Sequence, residues 1–136
     1  MEQITHYVNG ERVEGESGRY TDVYNPATGE VQAQCPLASK SEVDAIIAKA
    51  QAAQPAWAAV NPQRRARVMM KFVDLLNRDM DKLAEVLSRE HGKTLPDAAG
   101  DVQRGLEVVE YCIGAPQMLK GDFTDSAGPG IDMYSM

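Results

Sequence analysis

The sequence has no excess of positive charge, almost no cysteine and no long apolar run. Its 14 lysines and arginines stand against 20 aspartates and glutamates, a formal net charge of −6. Nucleic-acid binding requires a basic patch, so no nucleic-acid partner is expected. No stretch approaches the roughly 18 apolar residues of a membrane-spanning helix. The opening residues Met1-Glu2-Gln3-Ile4-Thr5 have neither the pattern of a secretory signal nor the arginine-rich composition of a transit peptide. The two cysteines, Cys35 and Cys112, are far apart and outside any CxxC spacing, which argues against a thiolate metal site or redox pair. A cytoplasmic protein with no membrane association is expected. Of the two histidines, His91 suits a helix C-terminus and His6 carries no readable role.

What is present falls into a β third and an α remainder. Tyr7-Val8, Asn9-Gly10 and Glu11-Arg12-Val13 read as strand, type I′ turn and returning strand. Tyr20 to Tyr24 and Glu30 to Cys35 alternate with period two around the turn Asn25-Pro26-Ala27-Thr28-Gly29. Ser39 and Glu42 then form a capping box, and Val43, Ile46, Ile47, Ala50 and Ala53 make a helical stripe that is interrupted at Pro55 and extended by Trp57. Asn61-Pro62 starts the next helix, carried by Val68, Met69, Phe72, Leu75 and Leu76. A weak point at residues 77–79 predicts a break, and Gly92 a C-terminal stop. Thr94 caps the last long helix, which should end near Pro116 or a turn later. Beyond Lys120 the glycines and Pro129 predict a loop, and Ile131 to Met136 alternates like the start of a strand with no partner in the sequence. There is no internal repeat.

That last helix is unusual in having two apolar stripes. Leu95, Ala98, Ala99, Val102, Leu106, Val109 and Ile113 share one face at 100° per residue. Gly100, Arg104, Val108, Tyr111 and Ala115 share the opposite face. A face of that composition is expected to lie against something other than water, and an arginine there wants an anion. Asp101, three residues before Arg104, is one candidate; a solvated guanidinium end is another.

Asn25-Pro26-Ala27-Thr28-Gly29-Glu30, the Ser39 capping box and the alanine-rich helix to Trp57 together resemble the start of the aldehyde dehydrogenase superfamily. Arg64-Arg65-Ala66-Arg67 and Glu90-His91-Gly92-Lys93-Thr94 sit where that superfamily has its second helix and its E-x-G-K turn. Gln103 to Tyr111 and the ending Gly130 to Met136 are narrower, and resemble the CoA-acylating methylmalonate-semialdehyde (malonate-semialdehyde) dehydrogenases. The similarity runs from about Thr5 to Met136, whereas a full member is several times longer.

The resemblance implies an α/β fold in a full-length protein, with this segment supplying N-terminal β-hairpins (residues 4–37) and about four helices (39–119). Residues 1–130 would belong to the NAD-binding domain and residues 131–136 to the start of an oligomerisation arm, with the catalytic domain absent. It also implies NAD and coenzyme A as cofactors of the full-length enzyme, a semialdehyde acid as substrate, and a homo-oligomer. None of the family's catalytic residues is expected in this stretch, since its nucleophilic cysteine lies downstream and neither Cys35 nor Cys112 matches it. The segment alone is expected to bind no cofactor and to be inactive. Its apolar faces would be left exposed if the rest of the sheet were missing.

By the same resemblance Arg104 would bind the substrate carboxylate, with Val108, Tyr111 and Ala115 as tunnel wall; helix packing is the alternative for the last three. The carbonyls around Val23 and Tyr24 and the Glu90 carboxylate would hold a monovalent cation, unless Glu90 is simply a solvated last-turn residue. Arg64, Arg65 and Arg67 read as a solvated or subunit-facing surface. A free-standing α+β module that docks on a full-length dehydrogenase is the competing reading. A helical interaction protein unrelated to dehydrogenases is a third, and would need the two motifs to coincide by chance.

Overall fold

Asn9 and Gly10 both take positive φ, 56° and 84°, as a type I′ turn requires of its two central residues. They join β2 (His6–Val8) to β3 (Glu11–Val13) in an antiparallel pair with Val8 opposite Glu11. The computed structural model describes residues 2–136. Ahead of this hairpin lies β1 (Glu2–Gln3), which pairs in parallel with β5 (Val31–Pro36). Two residues are too short to show periodicity, which is why the sequence reading has no strand there. β4 (Tyr20–Tyr24) covers the other edge of β5, giving the order β1-β5-β4. The β4–β5 register slips after Val23–Ala33, so that Tyr24 faces Val31 and Gln32 is the extra residue.

Five helices follow among the described residues. α1 (Lys40–Ala58) starts at the predicted capping box: the Glu42 N–H donates to Ser39 Oγ, and the Ser39 N–H to Glu42 Oε2. Pro55 does not interrupt it, contrary to the sequence reading. A proline removes one amide and crowds the preceding turn, but Pro55 lies close to the end of the helix, and the Ala59 N–H closes the last turn on its carbonyl at 3.0 Å. α2 (Pro62–Arg78) has Asn61 as its cap, whose Oδ1 accepts from the Gln63 N–H, and it stops at Asp79 where the weak point was read. α3 (Met80–His91) ends at Gly92.

α4 (Leu95–Ile113) gives way at Gly114, ahead of Pro116. A short α5 (Ala115–Met118) then takes the proline in its first turn, where the missing amide has no partner to lose. The expected count of about four helices is thus four long ones and this single turn.

The end of the chain departs from the sequence reading. Residues 123–128 are not a loop but a strand, β6 (Phe123–Gly128), and β7 (Ile131–Tyr134) pairs with it antiparallel across Pro129-Gly130. The last strand therefore has a partner. Asp125, Ser126 and Gly128 hide the alternation of β6, and the ladder breaks between Thr124 and Gly128. Ser126 bulges there with φ 51°, its N–H held by Asp132 Oδ1 at 2.9 Å.

Contacts gather the chain into two compact units. One contains residues up to Ala59 together with Asp81–Ala99, the other Val60–Met80 together with Gly100–Met136. In the first, Val8, Ala33, Ala84 and Ala98 are buried; in the second, Ala66 and Leu106 are. α1 buries no residue, and Val43, Ile47 and Trp57 of its stripe are exposed, as expected of a segment shaped to pack on more protein. No helix of the described residues is long and apolar enough to cross a membrane.

Gly92 is a tight junction of the first unit. It sits at φ +81°, and a Cβ added to it would lie 2.9 Å from Cγ of Pro26. Gly92→Ala is therefore expected to cost about 1–3 kcal/mol through left-handed strain alone, and more through the clash. Pro26→Ala in the same chain should return the clash part. Urea unfolding of the two single variants and the double variant checks this; additive losses would remove the contact from the account.

Candidate functional site

α4 owes its start to Thr94, whose Oγ1 accepts the Asp97 N–H at 3.4 Å, and to the acidic Asp97 in the positive first turn. From that fixed start the two stripes point in opposite directions. Ala98 is fully buried and Leu106 is 3 % exposed, whereas Val108 and Tyr111 are 63 % and 68 % exposed. Arg104, Val108 and Tyr111 stand at i, i+4 and i+7, a single exposed row. The structure brings these three predicted residues together. Within this chain these three lie open, whereas Gly100 and Ala115 of the predicted stripe are half-buried and Ala115 belongs to α5.

Arg104 Nη1 donates to Asp101 Oδ1, an i, i+3 pair whose side chains are 76 % and 37 % exposed. The ion pair named as an alternative is thus formed. Exposed pairs of this kind contribute about 0–1 kcal/mol, so the contact orients the guanidinium more than it stabilises the helix. It occupies one nitrogen of five N–H donors, leaving a planar edge that can take a carboxylate in bidentate fashion.

The second candidate set lies in the other unit. Gly92 against Pro26 brings the turn after β4 and the loop after α3 into contact. The turn is tied internally: the Gly29 N–H donates to the Asn25 carbonyl and the Ala27 N–H to Asn25 Oδ1. The loop is tied by Ser88, whose Oγ donates to the Lys93 carbonyl at 2.7 Å and whose carbonyl accepts from the Gly92 N–H. Val23 is half-buried, the Tyr24 carbonyl accepts from the Gln32 amide at 3.4 Å, and Glu90 is exposed. The segments just after Tyr24 and Glu90 meet at Pro26 and Gly92. Among the described residues no three His, Cys, Asp or Glu side chains are grouped to hold a metal ion.

Other sequence candidates are dispersed. Cys35 is half-buried in β5 and Cys112 is exposed on α4, both as free thiols. Arg64 and Arg67 are exposed and Arg65 half-buried in the first turns of α2, which carry no acid.

Sequence reasoning missed a cluster between the first hairpin and α1. His6, Val8, Val13, Glu16, Glu42 and Lys49 are among the residues lining a cavity of about 190 Å³, and His6 Nε2 is buried there without a partner. Glu42 is the centre of this cluster. Its carboxylate accepts the Glu16 N–H at 2.6 Å through one oxygen and the Ser39 N–H at 2.7 Å through the other. The capping box was readable from Ser39 and Glu42; the Glu16 arm, 26 residues away, has no local signal.

Those two amides, first Glu16 and then Ser39, hold the Glu42 carboxyl down at about 2, with His6 adding a smaller pull the same way. A carboxyl depressed in the folded state stabilises fully above its ordinary value near 4.5, and loses that contribution as pH falls toward 2. Glu42→Gln should flatten the fall in thermal midpoint between pH 4.5 and 2. An unchanged acid slope in the variant would remove the clamp from the argument.

The sequence of residues 13–136 matches the aldehyde dehydrogenase family. The chain belongs to that family. It is 44 % identical over 135 residues to a malonate-semialdehyde dehydrogenase of Pseudomonas aeruginosa, covering 99 % of this chain and 27 % of that protein. In structure it is similar to a protein of Sinorhizobium meliloti assigned as a methylmalonate-semialdehyde dehydrogenase and complexed with NAD. That match has a TM-score of 0.87 and 60 % identity over 98 % of this chain and 27 % of the other. A methylmalonate-semialdehyde dehydrogenase of Oceanimonas doudoroffii gives the same TM-score and coverage, 0.87 and 98 % against 27 %, at 46 % identity. The chain thus spans about a quarter of the length of the relatives it matches, and its hairpins and helices are the N-terminal segment of the aldehyde dehydrogenase fold.

Proposed function

We propose that this chain is the N-terminal segment of an NAD-dependent, CoA-acylating malonate- or methylmalonate-semialdehyde dehydrogenase. The whole enzyme would convert semialdehyde, CoA and NAD to acyl-CoA, CO2 and NADH. The segment's own contribution is recognition of the substrate's carboxylate by Arg104, with Val108 and Tyr111 as apolar wall. The observation that carries this reading is a cationic side chain in an exposed apolar row, opposite the buried Ala98 and Leu106 of the same helix. The relatives' names supply the substrate class: both aldehydes bear a carboxylate.

In this reading the β5–α1 junction is not a nucleotide cradle. β5 enters α1 through Leu37-Ala38-Ser39 without glycine, and Ser39 and Glu42 already close the N-terminus of α1 that a phosphate would need. We assign neither NAD nor CoA to that junction, and propose no catalytic residue in this segment. In this reading the segment alone is inactive. A homo-oligomeric, cytoplasmic enzyme is proposed for the whole protein. The β6–β7 hairpin, including residues 131–136, would begin its oligomerisation arm, and the preceding residues would belong to the coenzyme domain.

A monovalent cation at the carbonyls near Val23 and Tyr24, with Glu90 as counter-charge, is supported by the contact of their two loops. Raising potassium at constant ionic strength should lift the thermal midpoint of the full-length protein, and Glu90→Gln should abolish the lift. Equal responses of the two proteins would remove the site.

For Arg104, loss of a charge-assisted contact is worth about 1.5–3 kcal/mol. In the full-length enzyme Arg104→Leu should raise the KM for malonate semialdehyde about ten- to a hundredfold, and that for propanal little. Equal changes for acid and uncharged aldehyde would overturn the assignment.

A further inference from the structure

The guanidinium of Arg104 is already engaged by an anion, Asp101 Oδ1, through a single Nη1 contact. Long side chains on a helix lean toward its N-terminus, over the turn one step back. For Arg104 that turn is Gly100-Asp101. Gly100 has no side chain, and a Cβ there would meet nothing within 4 Å, so the guanidinium has open space beside its carboxylate partner. The other acids of α4 near Arg104 are occupied in different ways. Asp97 accepts from Thr94 Oγ1 at 3.0 Å, and Glu107 accepts from Gln103 Nε2 at 3.3 Å. Asp101 is the acid that reaches Arg104.

We infer that Asp101 is an internal competitor for Arg104, an anion the substrate's carboxylate must displace or share, so that it sets how selectively and how tightly acidic aldehydes are held. This inference rests on the proposed role of Arg104 and names the residue that tunes it. Asp101 touches no substrate in this account; it acts through Arg104 and is a positioning residue.

Charge governs the competition. A guanidinium facing an apolar wall without a counter-ion would attract any small anion. An aspartate three residues away on the same helix is present at high effective concentration and screens out weak competitors. A substrate carboxylate gains the open guanidinium edge in two parallel bonds, while the single-point Asp101 contact, exposed and weak, is easily given up. Asp101 opposes every incoming carboxylate and no uncharged aldehyde, so it moderates the preference for acids that Arg104 creates. Two carboxylates around one guanidinium leave a net negative charge, so removing Asp101 strengthens anion binding as long as Arg104 remains.

The test uses the full-length enzyme as wild type, Asp101→Asn, Arg104→Leu and the double variant, with Asp101→Ser as a second replacement should the first fail to fold. Two readouts are taken: the KM for malonate semialdehyde relative to that for propanal, and the inhibition constant of malonate, a non-reacting dicarboxylate. Asp101→Asn should lower both about two- to sixfold, the range spanned by exposed ion pairs. In the Arg104→Leu background the same change should move either by less than about twofold. If Arg104→Leu discriminates acid from propanal, but Asp101→Asn leaves both readouts unchanged or raises them, Asp101 is no competitor and the reading of Arg104 stands. If Arg104→Leu affects both aldehydes alike, the reading of Arg104 falls and the role of Asp101 with it.

Discussion

A helix fixes the angle between its faces, so burying Ala98 and Leu106 of α4 leaves Arg104, Val108 and Tyr111 no choice of direction. The role proposed for Arg104 depends on that constraint. The stripe that carries Ala98 and Leu106 is small and aliphatic throughout, as a face turned inward requires. Thr94 fixes where the helix starts and Gly114 where it stops, so the rotational phase of the exposed row is set at both ends. A functional side chain on a regular element of this kind is better positioned than one on a loop, because its backbone is held by hydrogen bonds along its whole length.

Around that helix the segment is organised by polar caps as much as by apolar contact. Few residues are buried and many large apolar side chains are exposed. Beside the strand ladders, the first unit is held in register by backbone amides claimed by the Ser39, Glu42 and Asn25 side chains and by the Lys93 carbonyl that takes the Ser88 hydroxyl. A segment that is a quarter of its relatives' length can be locally well specified and still leave much of its apolar surface uncovered. Local hydrogen bonds need only short stretches of chain, whereas a core needs the facing layer.

Most of the local structure was legible because its signals are local. Asn9-Gly10, the Ser39–Glu42 box, Asn61-Pro62 and Gly92 each announce a turn or a helix end within a few residues. The family resemblance was carried by such signals too. Arg104, Val108 and Tyr111 were legible as a row because helical spacing is regular. The misses follow from the same physics. β6 was invisible because its polar and glycine residues break alternation and its bulge at Ser126 breaks register. β1 was too short to have a pattern. Pro55 looked like an interruption because its effect on a helix depends on distance from the helix end. The Glu16 arm of the Glu42 clamp joins residues that only the fold makes neighbours.

The packing of Gly92 on Pro26 ties together two stretches that the sequence presents as separate motifs. A proline ring fits there only because the residue opposite it has no side chain, and the left-handed bend at that residue is what aims the loop at the ring. The two motifs form a single lock. Grafting either one alone into a distant member of the family would bring a mismatched half, so exchange between members should succeed for the pair and fail for its parts.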